Sequence, residues 1–262
     1  MKLKNDKYYT PKDLALKLIE TTYKVIGKNN ISEVIEPSAG NGSFSSQIKD
    51  CVAYDVEPES PLITKADFLK LELPYQSGRL FIGNPPFGTN NILSVKFFKK
   101  CVESGDYIAF IQPISQLNNN LQMYHFDLVY SQDLGIVEYS DRKLHCCFNI
   151  YKRPQEGLNP KPNYKLKDVV IKEYRRGSSY KVPENYDFGI CTWGNGSLGK
   201  PVEFVGQYAQ EVYFYCNPKY LERIKELMSF ENIRAYVNSI SAKRISVARL
   251  YKYIKDNIEE IE

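Results

Sequence analysis

Leu80-Phe-Ile-Gly83 and Asp106-Tyr-Ile-Ala-Phe-Ile-Gln112 are short, nearly uninterrupted apolar runs. Runs of that kind lack the in–out alternation of a half-solvated strand, and they predict strands buried on both faces. Glu33-Val-Ile-Glu36, Val52-Ala-Tyr-Asp55 and Cys146-Cys-Phe-Asn-Ile-Tyr151 have the same character. Between them lie helical patterns. Thr10 before Pro11 and Asp13 predicts a helix start, with Leu14, Leu18, Thr22 and Val25 on one face and Gly27 as the stop. Gly42-Ser-Phe-Ser-Ser-Gln-Ile48 predicts the next helix. Strands alternating with helices imply an α/β fold with a mainly parallel sheet.

The texture changes at Arg153-Pro-Gln-Glu-Gly-Leu-Asn-Pro-Lys-Pro-Asn163, a Pro/Gly/Asn stretch that reads as a linker. Segments 165–174, 186–193 and 211–216 beyond it are strand-like, and helical patterns run to the end. The expected division is a catalytic domain over residues 1–155 and a small α+β portion over 156–262. The last helix, 245–261, fits either the second portion or the first.

Composition narrows the classes. The 262 residues are 43% hydrophobic and 25% charged, which excludes disordered, collagen-like and coiled-coil chains. No apolar stretch is long enough for a bilayer, and Met1-Lys-Leu-Lys-Asn-Asp6 lacks a signal-peptide core, so a soluble, cytoplasmic protein is expected. A net charge of +4 permits a polyanionic partner without requiring one. Six cysteines without a CxxC pair, and two histidines, give neither a zinc site nor a disulfide framework, so no metal is expected. His125 and His145 are expected to pack or bond locally.

The sharpest motif is Asn84-Pro85-Pro86-Phe87, directly after an apolar strand. Paired prolines remove two donors, fix φ and stiffen a turn at the carboxyl end of a strand, where α/β folds bind ligands. The Asn84 side-chain oxygen and the Pro85 carbonyl are two acceptors suited to the two hydrogens of a planar –NH2 group, and Phe87 offers a ring to stack on its heterocycle. An exocyclic amine conjugated to a ring is a poor nucleophile, and accepting both its hydrogens localises its lone pair for attack.

A second motif is Glu36-Pro-Ser-Ala-Gly40-Asn-Gly42-Ser-Phe44. Its two glycines allow close backbone approach at a strand end, and without a full G-x-G-x-x-G or a Walker lysine it does not ask for a pyrophosphate. Glu36 is suited to a cation such as an ammonium group. Asp55, closing the next strand, is suited to ribose hydroxyls, with Glu57 a weaker competitor. Asp67-Phe68 could offer an acceptor for an adenine amine and a stacking wall.

Together these residues resemble the S-adenosylmethionine-dependent amino-methyltransferases that act on adenine N6 in DNA, with motifs in gamma order. Lys7-Tyr8-Tyr9-Thr10-Pro11 resembles the N-terminal motif that closes over the methionine end of the cofactor, and Glu36 to Gly42, including Pro37 and Ala39, the first cofactor loop. Asp55-Val56 and Asp67-Phe68 resemble the ribose and adenine contacts, Asn84-Pro-Pro-Phe87 the catalytic tetrapeptide, and Phe148 the aromatic on the far side of a flipped-out base. The resemblance covers the first portion. It implies a Rossmann-like seven-stranded sheet with one antiparallel strand, S-adenosylmethionine as cofactor, and base flipping before chemistry.

The partner so implied is DNA, double-stranded or locally single-stranded. The second portion is smaller than the recognition domains of larger relatives, which leaves room for a partner subunit or a homodimer. Candidate substrate contacts are Arg142-Lys143, Arg175-Arg176, Lys243-Arg244 with Arg249, and Trp193 in a glycine-rich loop. Each basic cluster by itself is more often a solvated face than a contact, and the Trp193 loop reads equally as a hairpin turn. Three alternatives carry the same motifs: methylation of adenine in RNA, methylation of a protein glutamine amide, and a silent nucleic-acid-binding module.

Overall fold

A computed structural model of the chain describes residues 9–139, 143–194, 196–239 and 244–262. They form two compact units, Met1–Lys161 and Pro162–Glu262. Among them no helix is long and apolar enough to cross a membrane.

The first unit is built on seven strands: β1 (Glu33–Glu36), β2 (Val52–Asp55), β3 (Thr64–Lys65), β4 (Arg79–Gly83), β5 (Tyr107–Pro113), β6 (Asp127–Glu138) and β7 (Lys143–Lys152). Their order across the sheet is β3-β2-β1-β4-β5-β7-β6. Pairings from β3 through β5 are parallel, whereas β7 is antiparallel to both neighbours. This is the Rossmann-like seven-stranded sheet that the resemblance implies, with β7 as its one antiparallel strand. The order reverses between β1 and β4, so the crevice beyond their carboxyl ends is the switch point where such sheets bind ligands.

Alternate residues of the central strands point to opposite faces. Leu80, Ile82, Ile111 and Ile150 pack with Ala15, Leu18, Ile19 and Ile26 of α1 (Lys12–Ile26). Ile35, Phe81, Ile108 and Phe110 pack with Phe97, Phe98 and Cys101 of α2 (Ile92–Ser104). The sheet is thus covered on both sides, which is why its strands read as continuous apolar runs.

Four local expectations are corrected. Pro11, not Thr10, holds the N-cap position of α1, without a side-chain bond, because Thr10 is turned into the body of the unit and buried. Val25 is exposed, and Ala15, Ile19 and Ile26 extend the buried stripe instead. Residues 42–48 form only a 3-10 turn, Ser45–Gln47. The Ser45 amide, a first-turn donor, is capped by Glu36, but Ile48 is extended (φ −118, ψ 117) and the chain turns back at Asp50 (φ 59), so no helix propagates. The long edge strand β6 was not anticipated. Its exposed, polar positions and its register shifts at Leu128/Tyr130 and Asp133/Gly135 erase the period-two signal.

The first unit runs past residue 155 because the linker is tied to it. Arg153 bonds Asp106 at 3.0 Å, and Asn159 bonds the His125 carbonyl and the Asp127 carboxylate at 3.0 and 2.8 Å. The second unit has an antiparallel sheet, β8 (Val169–Arg175), β9 (Phe188–Cys191) and β10 (Gln210–Cys216), in the order β8-β10-β9. Helices α3 (Leu221–Leu227), α4 (Phe230–Ser239) and α5 (Val247–Asn257) cover one face, and Leu250, Tyr251 and Ile254 place α5 in this unit's own core.

Arg79 at the start of β4 is nearly buried. Its guanidinium pairs with Glu33 on β1 and donates to the carbonyls of Pro74 and Ser104 at 2.5 and 2.8 Å. Arg79→Ala strands three acceptors, and chemical denaturation is expected to show a loss of about 3 kcal/mol.

Candidate active site

A cleft of about 490 Å³ opens at the switch point. Its floor is the β1–β2 connection. Glu36, at the end of β1, is 2% exposed and accepts the Ser45 amide at 2.7 Å. Asp55, at the end of β2, accepts the Gly40 and Glu57 amides at 2.7 and 2.8 Å. The Ala39 amide donates to the Tyr54 carbonyl at 2.9 Å, and the Glu59 amide to the Gly40 carbonyl at 3.0 Å. Gly40 has φ 54, and a Cβ there would lie 2.9 Å from the ring of Tyr9. Only glycine lets Tyr9 close over the loop. The Tyr9 hydroxyl donates to Glu59, and burial together with that carboxylate pushes its phenol up to about 12.

The opposite wall begins where β4 ends. A Cβ on Gly83 would fall 3.4 Å from Cγ of Glu36, so glycine brings β4 tightly against the β1 carboxylate. Asn84 and Pro86 follow and line the cleft, as do Gly88, Thr89, Ile92, Leu93 and Phe97. The Asn84 amide nitrogen donates to the Tyr139 hydroxyl at 3.5 Å, and the Asn84 carbonyl accepts from Ser38 at 3.5 Å. The third wall is Asp67, which caps a 3-10 turn through the Leu69 amide, and Phe68, stacked on Phe97 at 5.8 Å.

Of the residues expected at a cofactor, Tyr9, Thr10, Glu36, Pro37, Ala39, Gly40, Asp55, Val56, Asp67, Phe68 and Asn84 line this one cleft. Pro11 and Gly42 do not: Pro11 starts α1 and Gly42 shapes the loop from behind. Pro85 and Phe87 also stand back, Phe87 being 9% exposed in the α1-side core. Phe148 is a correction. It is fully buried on β7, opposite Ile111, and presents no face to a ligand. Ser38, Asn41, Ser43 and Tyr139 were missed, since serine, asparagine and tyrosine in loops carry no signal without the fold.

Outside the cleft, exposed Lys143 pairs with Glu138 on the adjacent strand. Arg142, Lys243 and the Lys7-Tyr8 part of the N-terminal motif lie outside the described residues. Arg175, Arg176 and Trp193 belong to the second unit. His145 bonds Asp133 at 2.7 Å and His125 stacks on Tyr124.

No protein-family profile matches the chain. It is similar to a curated rRNA adenine N-6-methyltransferase of Limosilactobacillus reuteri. That protein is 25% identical over 232 residues, spanning 80% of this chain and 86% of the relative. Among solved structures, a Thermoplasma acidophilum protein overlays 59% of this chain and 93% of its own at 17% identity and a TM-score of 0.45. The 23S rRNA methyltransferase ErmE overlays 59% and 72% at 15% identity and a TM-score of 0.42.

The chemistry of the cleft is its own evidence. Three carboxylates, Glu36, Asp55 and Asp67, line it, and among the described residues no lysine or arginine does. Such a wall disfavours a phosphate and favours a cation with neutral hydroxyl and amine groups. The Thr10 hydroxyl oxygen is buried at the cleft without a hydrogen-bond partner among the described residues, a polar atom placed for an occupant. The volume lies within the range of small-molecule sites.

Burial raises Glu36 from 4.5 to about 7, against the lowering effect of the Ser45 bond. An acid whose folded pKa is raised keeps its proton longer when folded, so its ionisation opposes folding. The ligand-free protein is expected to lose stability as pH rises from about 4.5 to about 7 and to level off above that. Denaturation midpoints across this window should decline in the wild type, with a shallower slope in Glu36→Gln.

Proposed function

We propose that the chain is an S-adenosylmethionine-dependent methyltransferase acting on the N6 amine of adenine in RNA. The observation that carries the reading is the meeting of Asn84 and Pro86 with the Glu36–Ser43 loop, Asp55 and Asp67 around one cleft. The cation-favouring wall supports the cofactor. Glu36 would face its ammonium, Asp55 its ribose hydroxyls, and Asp67 with Phe68 its adenine, while Tyr9 and Thr10 cover the methionine end. When bound, S-adenosylmethionine supplies an electrophilic methyl group on a sulfonium centre.

The chain's own contribution is orientation and charge complementarity at the amine. The Asn84 side-chain oxygen would accept an amine hydrogen and help direct the nitrogen lone pair at the methyl; the Pro85 carbonyl, the second acceptor expected from the sequence, belongs to a residue that does not line the cleft. The paired prolines stiffen the backbone that carries Asn84. Tyr139 is a positioning residue. Its hydroxyl holds the Asn84 amide by the donor end, and it lies 3.5 Å from the Cys146 sulfur, a thiol that burial pushes up to about 11. The proton is lost after the methyl arrives, so no strong base is required.

RNA is preferred as acceptor because the curated relative is named for rRNA adenine and aligns over most of both chains. Adenine in DNA is the second reading, favoured by the likeness of Asn84-Pro-Pro-Phe87 to the DNA enzymes' tetrapeptide.

Incubation with labelled cofactor and rRNA, DNA or a glutamine peptide, followed by nucleoside and peptide analysis, tests the acceptor. N6-methyladenosine from rRNA is expected, and label confined to deoxyadenosine or glutamine overturns the RNA reading. Asn84→Ala is expected to lower turnover by about 10²–10³-fold while calorimetry still detects cofactor binding; near-normal turnover refutes the assignment. Tyr139→Phe is expected to lower kcat about tenfold with the cofactor Kd unchanged, separating orientation of Asn84 from assembly of the cleft.

A further inference from the structure

The chain's single tryptophan is held in an unusual way. The Trp193 carbonyl accepts from Ser197 at 2.9 Å and from the Cys191 thiol at 3.1 Å. Its backbone pairs with Arg244 in an antiparallel bridge, and the Ile245 amide donates to the Thr192 carbonyl at 3.1 Å. The backbone is thus pinned from both sides, yet Trp193 is 50% exposed. A core tryptophan would be covered, and one on a loose loop would not be tied down by three bonds, two to its own carbonyl and one through the bridge beside it.

Two arginines share the same end of the second sheet. Arg244 lies 3.5 Å from one oxygen of Glu173, and Arg175 lies 3.7 Å from the other. One carboxylate between two guanidiniums leaves an uncompensated positive charge. Arg175 also lies over the ring of Tyr180, which is 41% exposed. The Nε of Arg175 is buried without an acceptor among the described residues, and so, without a donor, is the side-chain oxygen of Gln210, its cross-strand neighbour. The reachable part of the pair is the outer guanidinium nitrogens: the Arg175 and Arg244 side chains are 39% and 44% exposed.

A rigid exposed aromatic beside two partly exposed arginines that share one acid matches one ligand chemistry: a base face next to a phosphate. Base faces are hidden in a duplex and open in an unpaired strand. We propose that Trp193, Arg175 and Arg244 bind an unpaired stretch of RNA, the indole stacking on a base and the guanidiniums holding the backbone. The choice of RNA over another single strand rests on the function proposed above; the stacking and charge arguments do not.

Because Trp193 is the sole tryptophan, fluorescence excited selectively at the indole, beyond the absorption of the 21 tyrosines, reports on this patch. Titration of the full chain with a short unstructured oligoadenylate RNA, without cofactor, is expected to quench it, with affinity falling as salt rises. Arg175→Gln/Arg244→Gln is expected to flatten the slope of log affinity against log salt by about 1.4 while the indole remains as reporter. Trp193→Ala, followed by anisotropy of labelled RNA, is expected to weaken binding about tenfold. Absence of quenching in the wild type, equal quenching by polyglutamate, or a salt slope unchanged in the double variant overturns the proposal. Methyl transfer assayed in parallel separates the two readings. Quenching without transfer to any acceptor sinks the proposed activity and spares the patch, whereas transfer without quenching does the reverse.

Discussion

Carboxylates at the carboxyl ends of adjacent strands shape this cleft by accepting amides from the loop that joins them. Glu36 takes the Ser45 amide and Asp55 that of Gly40, while the other Asp55 oxygen takes the Glu57 amide just beyond β2. Bonds from amides to an ionised acceptor are worth about 1.5–3 kcal/mol each. They replace the interactions that a helix would have supplied at 42–48. The loop is consequently fixed before any ligand arrives. The cost appears at Glu36, whose burial nearly cancels the advantage of ionisation and leaves it close to its midpoint at neutral pH. A cation beside Glu36 relieves that cost, so the same carboxylate that organises the loop also selects what enters it.

The far wall is fixed by a different device. Gly83 allows β4 to press against Glu36, and the following Asn84-Pro-Pro cannot relax, because two prolines restrict their own φ and the ψ of the residue before each. One wall is thus held by carboxylate-to-amide bonds and the other by covalent ring constraints. Both are local to strand ends, so the sheet need only bring β1 and β4 side by side, as it does.

This locality explains what the residues alone disclosed. Buried central strands write uninterrupted apolar runs, and loops at their ends write glycine, proline and acid at fixed positions; these are legible because each rests on a few neighbouring residues. Phe148 was misjudged for the opposite reason. Whether an aromatic on β7 faces a cleft or a core depends on register against β5, where it sits opposite Ile111. Tyr139 became visible only once β6 was seen to deliver its end beside Asn84, and β6 itself hides behind polar edge residues and two irregular steps. The turn at 45–47 is short because the chain goes extended at Ile48 and left-handed at Asp50, while its first amide is capped by Glu36, a residue nine positions earlier.

The two units also divide the chain's charge. Among the described residues the cleft of the first is walled by carboxylates without a lysine or arginine, whereas Trp193 in the second stands beside two arginines that share one acid. A net charge of +4 conceals this partition. A reaction between a cationic small molecule and a polyanion needs surfaces of both signs, and they interfere when merged. An arginine in the cleft would repel a cation and hold Glu36 ionised by itself. Under the function proposed above, the target amine would enter the acidic cleft as a neutral group, so the electrostatic requirement on the acceptor would end at its sugar–phosphate backbone. The acids accordingly stand at strand ends of one unit, and in the other Arg175 ends β8 and Arg244 pairs with Trp193.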